Sequence, residues 1–139
     1  MSFVSVRPHF RSRMIGLNYT EHTDAVDFEN VAATLLDNSF HMETSPISGA
    51  AANQRDHKFD YSMVLRVFKR GFADPVSMYD DADQDIEDIL SDLLSPANRL
   101  GIDIKDIIPE SINKLPLSNS NDNDLIIEFN FTVKIIMCF

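Results

Sequence analysis

The chain has 139 residues, 44% of them hydrophobic, with 12 basic against 22 acidic side chains and a formal net charge of −10. That length holds one domain with a single core, and the hydrophobic share excludes general disorder. The acidity disfavours nucleic-acid binding driven by counterion release, and no apolar run approaches the roughly 20 residues of a bilayer span, so no membrane partner is expected.

Phe10, Met14 and Leu17 recur at helical spacing and Pro8 suits a first-turn position, which predicts a short N-terminal helix from Pro8 to about Tyr19. Gly16 weakens that helix. Residues 1–7 lack the basic and apolar regions of a signal peptide, and the single cysteine, Cys138, offers no internal disulfide, so folding in a reducing cytoplasm is expected. Residues 20–30 carry turn formers and acids, 31–36 read as a helical turn, and 39–43 as a short strand with Phe40 and Met42 facing inward. Residues 44–56 hold Pro46, Gly49, several alanines, Asn53 and Gln54, too little bulk to bury, and predict an extended, mobile hairpin arm.

The next strand is explicit: Phe59, Tyr61, Met63, Leu65 and Val67 line one face, with Lys58, Asp60, Ser62 and Arg66 on the other. Residues 69–73 read as a connector. Asp74 as a capping residue and Pro75 at the first helical position open a long helix that ends near Leu94, where Ser95-Pro96 stops it. Its apolar stripe is Tyr79, Ala82, Ile86, Ile89, Leu90 and Leu93, which needs a sheet to lie on. The form of the segment containing Ile102, Ile104, Ile107 and Ile108 is not fixed by its pattern, Leu115 and Leu117 suggest a short strand, and 118–124 form a polar loop.

From Leu125 to Phe139, Leu125, Ile127, Phe129, Phe131, Val133, Ile135, Met137 and Phe139 alternate with mostly polar residues, giving a long closing strand. An exposed edge on such a strand would template pairing with another chain, so assembly is expected. The sum is one domain, 1–139, of α+β class: a mainly antiparallel sheet with one long helix packed across it and a short N-terminal helix.

Chemistry finds little support. The acidic run 80–88 fails a calcium loop, because counting from Asp81 places Ile86 where glycine is required and Asp92 where a glutamate is expected. A solvated acidic helix face explains the run. His9, His22, His41 and His57 show no metal spacing, Cys138 has no nucleophile context, and no phosphate or dinucleotide fingerprint occurs, so neither catalytic residues, a metal nor a cofactor is expected. The basic residues Arg66, Lys69 and Arg70, with Arg7, Arg11 and Arg13, stand apart from the acids. Segregated charge suits contact between identical subunits, against the competing reading of ordinary surface charge.

The order of an N-terminal helix, the 59–68 strand, the 69–74 connector, the 75–94 helix, the 107–117 segment and the 125–139 strand resembles the tail-terminator and neck proteins of tailed bacteriophages. The 28–40 stretch resembles the strand-leading segment of small virion proteins of this kind. The resemblance implies a homohexameric ring in the virion at the head–tail junction, made in the host cytoplasm. Its partners would be head-completion or connector proteins and the tail tube. DNA would pass through without sequence-specific binding, past an acidic lumen whose candidate lining is Asp80, Asp81, Asp83 and Asp85. Candidate subunit contacts are Arg66, Lys69, Arg70, Pro46, Ile47, Asn53 and Gln54. The rival readings are a small enzyme or metal module and a small acidic adaptor or immunity-type protein without catalytic activity.

Overall fold

A computed structural model describes residues 2–22, 38–51, 56–72, 75–99, 104–116 and 123–138. The elements run α1 (Ser2–Gly16), β1 (Thr20–Glu21), β2 (Ser39–Ala51), β3 (Asp56–Phe72), α2 (Pro75–Leu94), a 3-10 turn (Pro96–Arg99), β4 (Ile104–Pro116) and β5 (Asn123–Cys138). They form an α+β fold around one five-stranded mixed sheet of order β1-β2-β3-β5-β4, in which β1 and β2 pair in parallel and the other neighbours are antiparallel. No helix among the described residues is long and apolar enough to cross a membrane.

The alternation of β3 and β5 decides the layering. Tyr61, Met63, Leu65 and Val67 on β3 share one core with Leu125, Ile127, Phe129, Phe131, Val133 and Ile135 on β5. The register pairs Met63 with Phe131 and Leu65 with Phe129. Both helices lie on this face: Val6, Phe10 and Met14 of α1, and Met78, Ala82, Ile89 and Leu93 of α2, belong to the same cluster. The ring of Phe10 meets that of Phe131 at 5.4 Å between centroids, and Phe131 stacks on Phe129 at 5.7 Å. The opposite face is polar along most of its length, but Phe68, Ile126, Ser39 and His41 are buried at one end of it.

Several expectations are corrected. The closing strand is not an edge, because β5 is paired on both sides, with β3 and with β4, and its hydrogen-bonding groups offer no template. Helix α1 begins at Ser2, so Pro8 lies inside it; burial of Val6, four residues before Phe10, extends the apolar stripe upstream, and Pro8 sits on the exposed side. Residues 69–72 continue β3 instead of forming a connector, with a register shift between Lys69 and Phe72. Tyr79 is 38% exposed, and Met78 takes the buried position of that turn. Ile104–Pro116 is one strand, β4, whose pattern is scrambled by register shifts at Ile104/Asp106 and Pro109/Ser111; each bulge swaps which residues face the core, while Ile102 and Leu117 lie outside the described residues. Residues 44–51 of the arm are strand, paired to β3 across a shift between Thr44 and Ile47. The 31–36 turn, the 118–122 loop, Asn53, Gln54 and the Asp74 cap lie outside the described residues.

The helices are clamped to each other by the Arg13 fork, which donates from Nε and Nη2 to the two carboxylate oxygens of Asp92 at 2.7 and 2.8 Å. Asn98 Nδ2 in turn donates to the Asp92 carbonyl at 2.6 Å. His9 lies one turn before Arg13; burial first, and then the Arg13 charge, hold its imidazole below the ordinary value, against an opposing pull from Asp92.

Two outcomes follow. Phe129→Ala should cost about 3–5 kcal/mol in urea unfolding, the usual loss for a fully buried aromatic residue, and a loss under about 1 kcal/mol would remove β5 from the centre of the core. A depressed His9 value means that its neutral form is favoured on folding. That contribution is present above the unfolded value near 6.5 and is lost as pH falls through the folded one, so stability should drop on acidification below pH 6.5, and His9→Gln should flatten that drop.

Candidate functional site

The described chain brings polar groups together in two places. The first is a cleft of about 240 Å³ where the end of α1, the start of β1, the start of β2, the end of β3 and the middle of α2 converge. Its shape begins with backbone capping. Tyr19 N–H donates to the Met14 carbonyl and Asn18 N–H to that of Ile15, the paired bonds of a Schellman ending, with Asn18 at φ 69° in the left-handed position. Asn38, at φ 55°, is the other non-glycine residue at positive φ among those described, and it joins Thr20 to Phe68 through its main chain. Asparagine tolerates this region better than most side chains. Both asparagines line the cleft.

Lys69 reaches into it from β3. Its ammonium donates to Asn38 Oδ1 at 2.6 Å, lies 3.4 Å from Asp85 Oδ2, and sits 5.5 Å from the centre of the Tyr19 ring. Burial pushes the Asp85 carboxyl up, and the nearby Lys69 only partly offsets this. Burial, then the charges of Asp85 and Asp88, raise the Tyr19 hydroxyl well above the ordinary phenol value. The cleft sets one lysine against two carboxylates, Asp85 in contact with it and Asp88 beside it.

The second place is the open face of the sheet. Arg66 donates to Glu128 Oε2 at 3.0 Å and pairs with Glu43 Oε2 at 3.0 Å, so three adjacent strands are laced by one guanidinium. Lys134 pairs with Asp60 at 2.8 Å, and Asn130 donates to the Ser111 hydroxyl at 3.0 Å. His41 Nδ1 donates to the His22 carbonyl at 2.9 Å. Among the described residues no group of three or more His, Cys, Asp or Glu is placed to hold a metal ion.

The residues singled out from sequence are scattered over the molecule. Arg66 lies on the open face and Lys69 in the cleft, each with partners inside the chain. The side chains of Arg70 and Pro46 are outside the described set, as are Asn53 and Gln54 altogether, while Ile47 is 45% exposed. Of the helix acids, Asp80 and Asp81 are exposed, Asp83 pairs with Lys114, and Asp85 turns into the cleft toward Lys69. The acidic run therefore has cationic partners, contrary to its appearance in sequence; they come from β3 and β4. Sequence reasoning passed over Tyr19, Asn38, Glu43 and Glu128. Only the cross-strand register, which places Arg66 opposite Glu128 on one side and diagonal to Glu43, two residues beyond its partner His41, on the other, could have drawn attention to the last two.

No protein-family model matches the sequence, and no curated protein matches it.

If Asp85 and Lys69 depend on each other, Lys69→Ala should destabilise the fold by about 1–3 kcal/mol at pH 7, the cost of a half-buried carboxylate losing its cation. The raised Asp85 carboxyl is neutral below its folded value, so the cost should shrink as pH is lowered toward 4. Urea titrations of parent and variant at both pH values measure this; an equal cost at both would separate Asp85 from Lys69.

Proposed function

We propose that the chain is a structural virion protein of the tail-terminator type, forming a ring at the head–tail junction that caps the tail tube and joins it to head-completion proteins, with DNA passing through. The reading begins from the resemblance in element order, a mainly antiparallel sheet crossed by one long helix. The observation that supports it most is the inequality of the two sheet edges. On β4, the edge carries Pro109, Pro116, Lys105, Asp106, Glu110 and Lys114 and two register shifts, the devices that keep strands from pairing onward. On β2, residues 44–51 carry no charge, and β1 covers only Ser39 and Phe40. Ile47 is exposed beside that edge.

An unguarded edge on one side and a guarded one on the other suits a heterologous contact, the kind that closes rings. The arm residues Pro46, Ile47, Asn53 and Gln54 are then the contact, with Arg70 at the far end of the same hairpin. In such an assembly the helix acids Asp80 and Asp81 face either a lumen or another chain. A second reading, a single-copy acidic adaptor, is favoured by one fact: Arg66 and Lys69 already have partners within the chain.

Native mass spectrometry and light scattering decide between them. The ring reading expects a multimer of six copies, alone or on tail tubes. It also expects Ile47→Lys to reduce the mass without altering the circular dichroism spectrum, since a charge placed beside an edge strand opposes pairing. A parent chain that stays monomeric and binds neither tail nor head components overturns it.

A further inference from the structure

The ladder fixes which backbone groups of β2 are already paired. The His22 N–H donates to the Phe40 carbonyl, so Phe40 turns its peptide groups away from β3, and Met42 and Thr44 follow by alternation. The Phe68 carbonyl accepts from Asn38, so the even-numbered residues of β3 face β2. Beyond the register shift, Ile47, Gly49 and Ala51 stand opposite the odd-numbered Tyr61, Phe59 and His57 and therefore face outward too. Among the described residues β1 covers only Ser39 and Phe40, which leaves Met42, Thr44, Ile47, Gly49 and Ala51 with peptide groups pointing out of the sheet.

A row of strand N–H and C=O groups is matched in full by another strand. The far edge of this sheet, β4, is guarded by its prolines, its charges and two register shifts. The described edge that fits β2 is β2 itself. Two identical strands laid antiparallel satisfy each other's donors and acceptors about a two-fold axis, and residues 44–51 bring no charge into the contact.

The charges flanking this row complement each other end to end. At one end the single guanidinium of Arg66 serves two carboxylates, Glu43 and Glu128, each at 3.0 Å, so one negative charge is left over, and the Glu43 side chain is 47% exposed. At the other end Lys58 stands opposite Ala50, on the same face of the sheet as Glu43. It is exposed and has no ionic partner among the described residues. Turning one strand end for end brings the two ends together twice.

We infer that free chains associate in pairs by joining β2 to β2, antiparallel, into one continuous sheet. The register sets Thr44 opposite Gly49 and Met42 opposite Ala51 of the second copy, outward-facing residues against outward-facing ones. Glu43 then lies opposite Ala50 of the second copy, and Lys58 of that copy is one strand further on. Two strand spacings separate their β-carbons by about 10 Å, which these long side chains span across a small residue. The axis falls between Pro46, which has no N–H to give, and Ile47, whose exposed side chain meets its counterpart there. The pair covers the edge that a ring subunit uses, so it belongs to the free chain and is undone on assembly. It does not rest on the ring reading.

Sedimentation equilibrium and native mass spectrometry of the full chain test this by charge exchange. Lys58→Glu and Glu43→Lys should each weaken self-association about tenfold or more, because symmetry sets like charges together twice. Mixed in equal amounts, the two variants should form a mixed dimer of about parental strength, since both contacts then join opposite charges. Circular dichroism should match the parent throughout. In the parent, the amides of Thr44, Gly49 and Ala51 should exchange slowly with water only at concentrations where the dimer forms, whereas those of Glu43, Ser48 and Ala50, bonded to β3, should exchange slowly at all concentrations. A parent that is monomeric at every concentration overturns the inference. So do a mixture that associates no better than either variant alone, edge amides that stay unprotected in the dimer, and a free parent that is hexameric without passing through a dimer. A parent that dimerises in this way and binds neither tail nor head components upholds the inference while the ring reading fails.

Discussion

The antiparallel ladder between β3 and β5 is the constraint on which everything else rests. It runs from Asp56 opposite Cys138 to Phe72 opposite Asn123, and because side chains alternate with period two, its register assigns every residue of both strands to a face. Slipping β5 by one residue against β3 would send Phe129 and Phe131 to water and bring Glu128 and Asn130 into the core. With the register as it is, one face accepts both helices, and the other brings Arg66 beside Glu128 and Lys134 beside Asp60. The cleft depends on it too, since Lys69 is the last residue before the ladder shifts.

The acidic helix is held down by the same arrangement. Seven acids on twenty residues would repel one another and the rest of an acidic protein, but α2 is met along its length by Lys114 of β4, Lys69 of β3 and Arg13 of α1, one cation from each neighbour. Each pair is only partly buried and individually modest. Their spacing matters more than their strength, because together they fix the rotation of α2 and so decide which acids are turned inward and which remain on the outer side.

What could be read from sequence follows the regularity of the elements. Strands β3 and β5 and helix α2 were legible because their apolar residues keep one period over most of their length, and Pro75 and Ser95-Pro96 mark the limits of the helix. β4 and the outer half of β2 were not, because a bulge changes the facing of every residue after it: Ile107 and Ile112 both approach the core although they are five apart. The acids of α2 were legible as a run, but their partners were not, since Lys114 is 31 residues away from Asp83 and Lys69 comes from another strand. Tyr19 and Asn38 were invisible as site residues because their roles arise from left-handed turns, and an asparagine in sequence does not announce that conformation.

The packing of Phe10 against Phe131 joins α1 to β5, with β2, β3, α2 and β4 lying between them in sequence. All the elements between them must be synthesised before this core can close. A nascent chain can form the β2–β3 hairpin and α2 early, but the apolar face of β3 waits uncovered until β5 emerges and inserts between it and β4. Pairings so distant in sequence are slow to form, and the uncovered strands are open to wrong partners meanwhile. Yield during synthesis should therefore depend on temperature and on chaperones more than the finished fold does.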